Sequence, residues 1–198
     1  MKLRTFLLAH APALGWATPA VALKAMQSIT PADTTGALAA HGRGPASSPE
    51  ATPYAGAVIV LAALAGGPLA KSGAAARALY VTRPAGTDSG VASLVTDPMP
   101  DAPLGACLVT GAGCLGDAIK AVLGDRQLAA QVDRIEVRHG GGPSATIIMA
   151  DGRETRFVNA WDARRHEAWD TGGRVRTVAT IGGPLLVAMA ADLSGATP

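Results

Sequence analysis

Apolar positions recur with two different periods, and the change from one to the other organises the chain. In the first part the spacing is helical. Leu3, Leu7, Leu8 and Ala11 fall three and four apart and predict a first helix. Val21, Leu23 and Met26 surround Lys24 and predict a second, with Pro19 at its first position, where the missing N–H costs nothing. Gln27 and Ser28 break that run. Thr30 then reads as an N-cap, followed by Pro31 and by Asp33 in the first turn, where a helix dipole favours negative charge. Leu38 would point inward from this third helix, and Gly42 would stop it. Residues 51–70 carry no charge and approach the length of a membrane span, but Gly66-Gly67-Pro68 interrupts them. A buried core helix is predicted there, followed by Ser72 as a cap and a helix over 73–79.

Further along, the period shortens to two. Residues 78–82 and 91–96 read as strands on either side of the turn PAGTDSG. Ile119, Val122 and Leu123 share a helical face, Gly124 interrupts it, and Leu128 and Val132 resume it, which predicts a helical pair over 115–132. Ile135 and Val137 alternate with Arg134, Glu136 and Arg138, the mark of a half-buried strand. Asp151-Gly152 is a favoured two-residue hairpin turn between strands over 146–150 and 153–158. A polar helix over 159–171 places Trp161 and Trp169 on one side. A last strand over 174–179 and an apolar helix over 184–193 follow.

Two stretches punctuate this order. GRGPASSPEATP, 42–53, is a Pro/Ser/Gly loop, and DPMPDAP, 97–103, holds three prolines that continue neither a helix nor a central strand. The second is taken as a domain border, between a helical unit, 1–96, and a small antiparallel-sheet unit with flanking helices, 104–198. The fold class is α+β.

Composition bounds the function. Of 198 residues, 48% are hydrophobic, which excludes wholesale disorder, but aromatics make up only 4% and the core is built from Ala, Val and Leu. The net charge of +2 is too small to argue for nucleic acid alone. It is unevenly placed: residues 1–100 carry seven Lys/Arg against four acids, and residues 101–198 carry ten against eleven. The two cysteines, Cys107 and Cys114, form no C-x-x-C pair, so neither a metal site nor a disulfide framework is indicated.

The order in residues 18–43, a threonine, an alanine-containing helix, a short turn, Thr-Pro-Ala and a second helix ending in Ala-Leu, resembles the helix-turn-helix core of winged-helix DNA-binding domains. The apolar helix, Gly-Pro-Leu step and strand pair of residues 54–96 resemble the rest of such a domain, its hairpin being the wing. The resemblance implies a DNA-binding or regulatory protein of the cytoplasm, with Lys24, Thr34, Thr35, Arg43 and Arg83 facing double-stranded DNA. The second helix holds no Lys or Arg, so phosphate contacts would come from Lys24, Arg43 and the base of the wing at Arg83. A homo-oligomer is compatible with this reading; no metal, cofactor or membrane is called for.

Two alternatives rest on other residues. Lys2 and Arg4, the apolar stretch 6–16 and Ala20-Val21-Ala22 have the form of a signal peptide cleaved after Ala22, which would make this an exported, periplasmic or secreted binding protein. Gly111, Gly113 and Gly116 in GAGCLG match the G-x-G-x-x-G of dinucleotide folds and resemble the start of short-chain dehydrogenases, implying a nucleotide-dependent oxidoreductase. That family's Tyr-x-x-x-Lys pair is missing, and the tyrosines are Tyr54 and Tyr80 alone. His166 beside Glu167 has no nucleophile at a matching position, and no catalytic residue is assigned.

Overall fold

Side-chain caps mark the starts of three of the described helices. The computed structural model describes residues 1–33, 35–39, 47–84, 106–139, 144–158 and 177–195. Helix α1, Leu3–His10, buries Leu3, Phe6, Leu7 and His10 along one stripe. Helix α2, Pro19–Ile29, starts where Thr18 accepts a hydrogen bond from the Val21 N–H, with proline at its first position as expected. Helix α3, Pro53–Ala65, is capped in the same way by Thr52 and is buried on nearly every side, Ile59, Val60, Leu61 and Leu64 included. It is the core helix predicted from the uncharged run. No described helix is long and apolar enough to cross a membrane. Helix α4, Ser72–Tyr80, follows directly on a short 3-10 turn.

Two expectations fail in this region. The third helix, expected from Thr30, is not formed among the described residues 31–33 and 35–39. Thr30 closes α2 instead: its hydroxyl donates to the Met26 carbonyl at 2.9 Å, and only the 3-10 turn Thr30–Ala32 follows. Asp33 then leaves helical geometry at φ −76°, ψ 113°. The strand expected over 78–82 is mostly the end of α4, because Ala76 and Leu79 are buried at helical spacing against α3. Its expected partner, 91–96, lies outside the described residues, as do the border 97–103 and the tryptophan helix 159–171.

The C-terminal half follows its predicted pattern closely. Helices α5, Leu115–Gly124, and α6, Arg126–Gln131, form the expected pair, with Asp125 capping α6 through the Gln127 and Leu128 N–H groups. Strands β2, Val132–His139, β3, Ser144–Met149, and β4, Glu154–Val158, run as an antiparallel meander, and β5, Thr177–Gly182, pairs with the other side of β2. A two-residue strand β1, Arg83–Pro84, joins β4, giving the order β1-β4-β3-β2-β5. Helix α7, Gly183–Ser194, closes the described chain.

Ile135, Val137, Ile147, Phe157 and Ile181 point from the sheet into the core. On the other face Arg134 pairs with Glu136 and Arg156 with Glu154, the mixed-charge surface predicted from the alternation. Gly56 of α3 lies against Leu123 of α5 and Leu193 of α7, and the Leu115 N–H donates to the Thr82 carbonyl at 2.9 Å. The parts expected as separate domains, 1–96 and 104–198, thus share one set of buried side chains from Leu3 to Leu193.

Candidate functional site

Of the five residues expected to face DNA, three are described. Lys24 is exposed on α2, one turn before Ser28, whose hydroxyl donates to the Ala70 carbonyl at 3.1 Å. Residues four apart share a helix face, so Lys24 lies on the side of α2 that meets the turn carrying Lys71. Arg83 is exposed in β1, opposite Val158 of β4. Thr35 is exposed in a loop, not on a helix, and its hydroxyl donates to Asp33 Oδ1 at 2.7 Å while accepting from the Ala37 N–H at 3.2 Å. Thr34 and Arg43 lie outside the described residues. Lys24, Lys71, Arg77 and Arg83 form no ion pair among the described residues, whereas Glu50 is bound by both Lys2 and the N-terminal amine.

The loop after α2 builds a site that sequence patterns do not announce. The Asp33 carboxylate accepts four hydrogen bonds: from the Thr35 N–H at 2.9 Å, the Thr35 hydroxyl, the Tyr54 hydroxyl at 2.8 Å and the Leu38 N–H at 2.8 Å. Partial burial opposes the charged form, but hydrogen bonds from Thr35, Leu38 and Tyr54 outweigh it and hold this carboxyl below the usual range. Burial pushes the Tyr54 hydroxyl up. Tyr80 mirrors this arrangement from α4, its hydroxyl donating to Asp117 Oδ1 at 3.0 Å. Burial, with the Asp117 carboxylate beside it, pushes the Tyr80 hydroxyl strongly upward. The two rings meet with centroids 5.9 Å apart and planes at 60°.

Two glycines permit this assembly. A Cβ on Gly73 would lie 2.2 Å from the Ser28 carbonyl oxygen, so α4 comes this close to the end of α2 only with glycine there. A Cβ on Gly116 would lie 2.2 Å from the Tyr80 ring. Between α2, α3, α4 and the Asp33 loop remains a cavity of about 260 Å³, with Ile29, Val58, Gly73 and Ala76 among its walls and Asp33, Tyr54, Arg77 and Tyr80 around them.

The GAGCLG turn has a different role from the one its pattern suggests. Residues 107–110, the short apolar run that enters it, form a turn closed by hydrogen bonds between Gly111 N–H and the Cys107 carbonyl, 2.8 Å, and between Cys107 N–H and the Ala112 carbonyl, 2.9 Å. Cys107 is buried and the Leu108 N–H donates to Thr155 Oγ1 at 3.3 Å, which fastens this turn to β4. Gly116 serves the Tyr80 ring. Cys114 donates to Asp117 Oδ2 at 3.3 Å, and burial pushes its thiol up, away from the thiolate a nucleophile needs. Among the described residues no group of three or more His, Cys, Asp or Glu is placed to hold a metal ion.

The sequence gives one retrospective clue to the cavity. Both tyrosines of this aromatic-poor chain are in it. Comparison with protein-family models, curated proteins and solved structures finds no match to this chain.

Proposed function

We propose that the protein binds double-stranded DNA through its backbone phosphates, with Lys24, Lys71 and Arg83, together with Arg43, as the contacting cations. Charge bookkeeping in the helical half carries this reading. Residues 1–84 hold seven Lys/Arg and two acids, Asp33 and Glu50. Both acids have partners within the chain, Asp33 in its loop and Glu50, at the surface, with the amine and Lys2. The remaining cations are left to a polyanion. Without a cation-bearing recognition helix, base readout has no support, so the affinity proposed is general for duplex DNA.

Counterion release supplies the test. Each neutralised phosphate steepens the fall of log K with log salt by about 0.9. The variant Lys24→Ala/Lys71→Ala/Arg83→Ala changes only exposed side chains, so it should keep the fold. It should flatten that slope by about three units and weaken binding to unrelated duplexes alike. Absence of binding at low salt, or an unchanged slope in the triple variant, would overturn the proposal.

A further inference from the structure

The cavity between α2, α3 and α4 has unequal polar groups. Asp33, Thr35, Tyr54 and Tyr80 are committed. Asp33 accepts four hydrogen bonds, Thr35 both donates and accepts, and each tyrosine hydroxyl is held by its own carboxylate. Those bonds fix the two rings in place, so what the tyrosines still offer is their faces and edges. Arg77 differs: it is exposed, lines the cavity, and makes no hydrogen bond or ion pair among the described residues. It stands one helical turn from both Gly73 and Val81 on the lining side of α4. Val81, 60% exposed, stands at the same rim.

We infer that this cavity is a binding site for a small, flat aromatic compound carrying one acidic group, either a carboxylate or a phosphate. The ring lies against the wall made by Tyr54 and Tyr80 and over Val58, and the acid reaches Arg77 at the mouth. A sandwich between the tyrosines is excluded. Their centroids are 5.9 Å apart, while a ring stacked on both sides needs about 7 Å. The volume of about 260 Å³ fits one ring system with one substituent and is smaller than the sites that take drug-sized ligands. Arg77 selects the charge because a guanidinium binds carboxylate or phosphate through paired N–H groups, whereas the Asp33 carboxylate is already saturated and ionised and offers no donor. The inference is independent of DNA binding, which uses other cations.

The chain contains two tyrosines, both in this site, so ring-labelled tyrosine gives a reporter with two signals, assigned by the Tyr54→Phe variant. The probes are benzoate, phenyl phosphate, benzamide as the neutral ring and inorganic phosphate as the ringless acid, titrated without DNA. Benzoate, phenyl phosphate or both should shift both tyrosine signals at millimolar concentration or below, and which of the two binds more tightly identifies the acid. Arg77→Gln should weaken that binding by at least about tenfold, the loss of a charge-assisted contact. Val81→Glu, which sets a negative charge at the rim, should weaken the acidic probes and leave benzamide unaffected. Both positions are exposed, so the variants should keep the fold, which the thermal transition of the free proteins reports. The inference is overturned if neither acidic probe moves the tyrosines, if benzamide or inorganic phosphate binds as well as benzoate and phenyl phosphate do, or if Arg77→Gln binds them as the parent does.

Discussion

The Asp33 carboxylate gathers two N–H groups and two hydroxyls into one loop, and its Tyr54 partner comes from 21 residues further along. Because its folded-state pKa is depressed, its contribution to stability is present at neutral pH and disappears as pH falls below about 4, through the depressed value. Asp33→Ala should therefore lower stability by about 1–2 kcal/mol at pH 7, and the gap to the parent should narrow in acid; urea denaturation at both pH values measures it. The residue types Thr-Pro-Ala-Asp suit a helix start, and read locally they predict one. What makes Asp33 a loop anchor instead is a tyrosine on another helix, and local spacing carries no record of that. Lys24 and Arg83 were legible as exposed cations because charge on an amphipathic pattern predicts its own exposure. Arg77 and the two tyrosines became a site only through the approach of α4 to α2 and α5.

That approach sets an expectation opposite to helix propensity. Gly73 is the second residue of α4, and in helices alanine is normally favoured over glycine, by up to about 1 kcal/mol. Its added methyl would meet a backbone oxygen at 2.2 Å, an obstacle that no side-chain rotation removes. Gly73→Ala should thus destabilise by about 2 kcal/mol net. Gly124→Ala in α5 is the control, since its methyl would meet only Pro53 at 3.7 Å, and it should be neutral or stabilising. Denaturation midpoints of the two variants decide the point. Elements with a strong period were the legible ones: the alternation of β2 and β4 and the uncharged α3 appear where the pattern puts them, and the hairpin at Asp151-Gly152 forms with a three-residue loop, 150–152, closed by the Met149 N–H on the Arg153 carbonyl, in place of the two-residue turn expected. The short apolar run at 78–82 was not, because a few apolar residues fit a strand or a helix end equally well, and packing against α3 settles which forms.

At the scale of the molecule, helix α1 belongs to the core. Phe6 and Leu7 are at most 1% exposed, and His10 Nε2 lies 3.0 Å from Asp192 of α7. A chain cleaved after Ala22, as the export reading has it, would lose Leu3, Phe6, Leu7 and Leu14 from that core. Each large apolar side chain contributes about 1.5–3 kcal/mol, and a domain's whole margin is about 5–15 kcal/mol. A protein beginning at Leu23 should therefore show no cooperative thermal transition by circular dichroism. A sharp transition near that of the full chain would contradict the role given to α1. The division at 97–103 rests on prolines, which mark where regular structure stops; whether the sides on either hand share a core depends on contacts such as that of Gly56 with Leu123, which lie far apart in sequence.

The bond between His10 and Asp192 spans 182 residues, and it bears on the order in which this protein is made. Helix α3, apolar on nearly every side, leaves the ribosome well before α5 and α7, the helices that Gly56 touches. Until α7 has been synthesised, α3 has no complete shelter in its own chain. Closure of the core therefore waits for the synthesis of α7, and a message truncated before α7 would release a product with its most water-averse helix uncovered, open to association with other nascent chains.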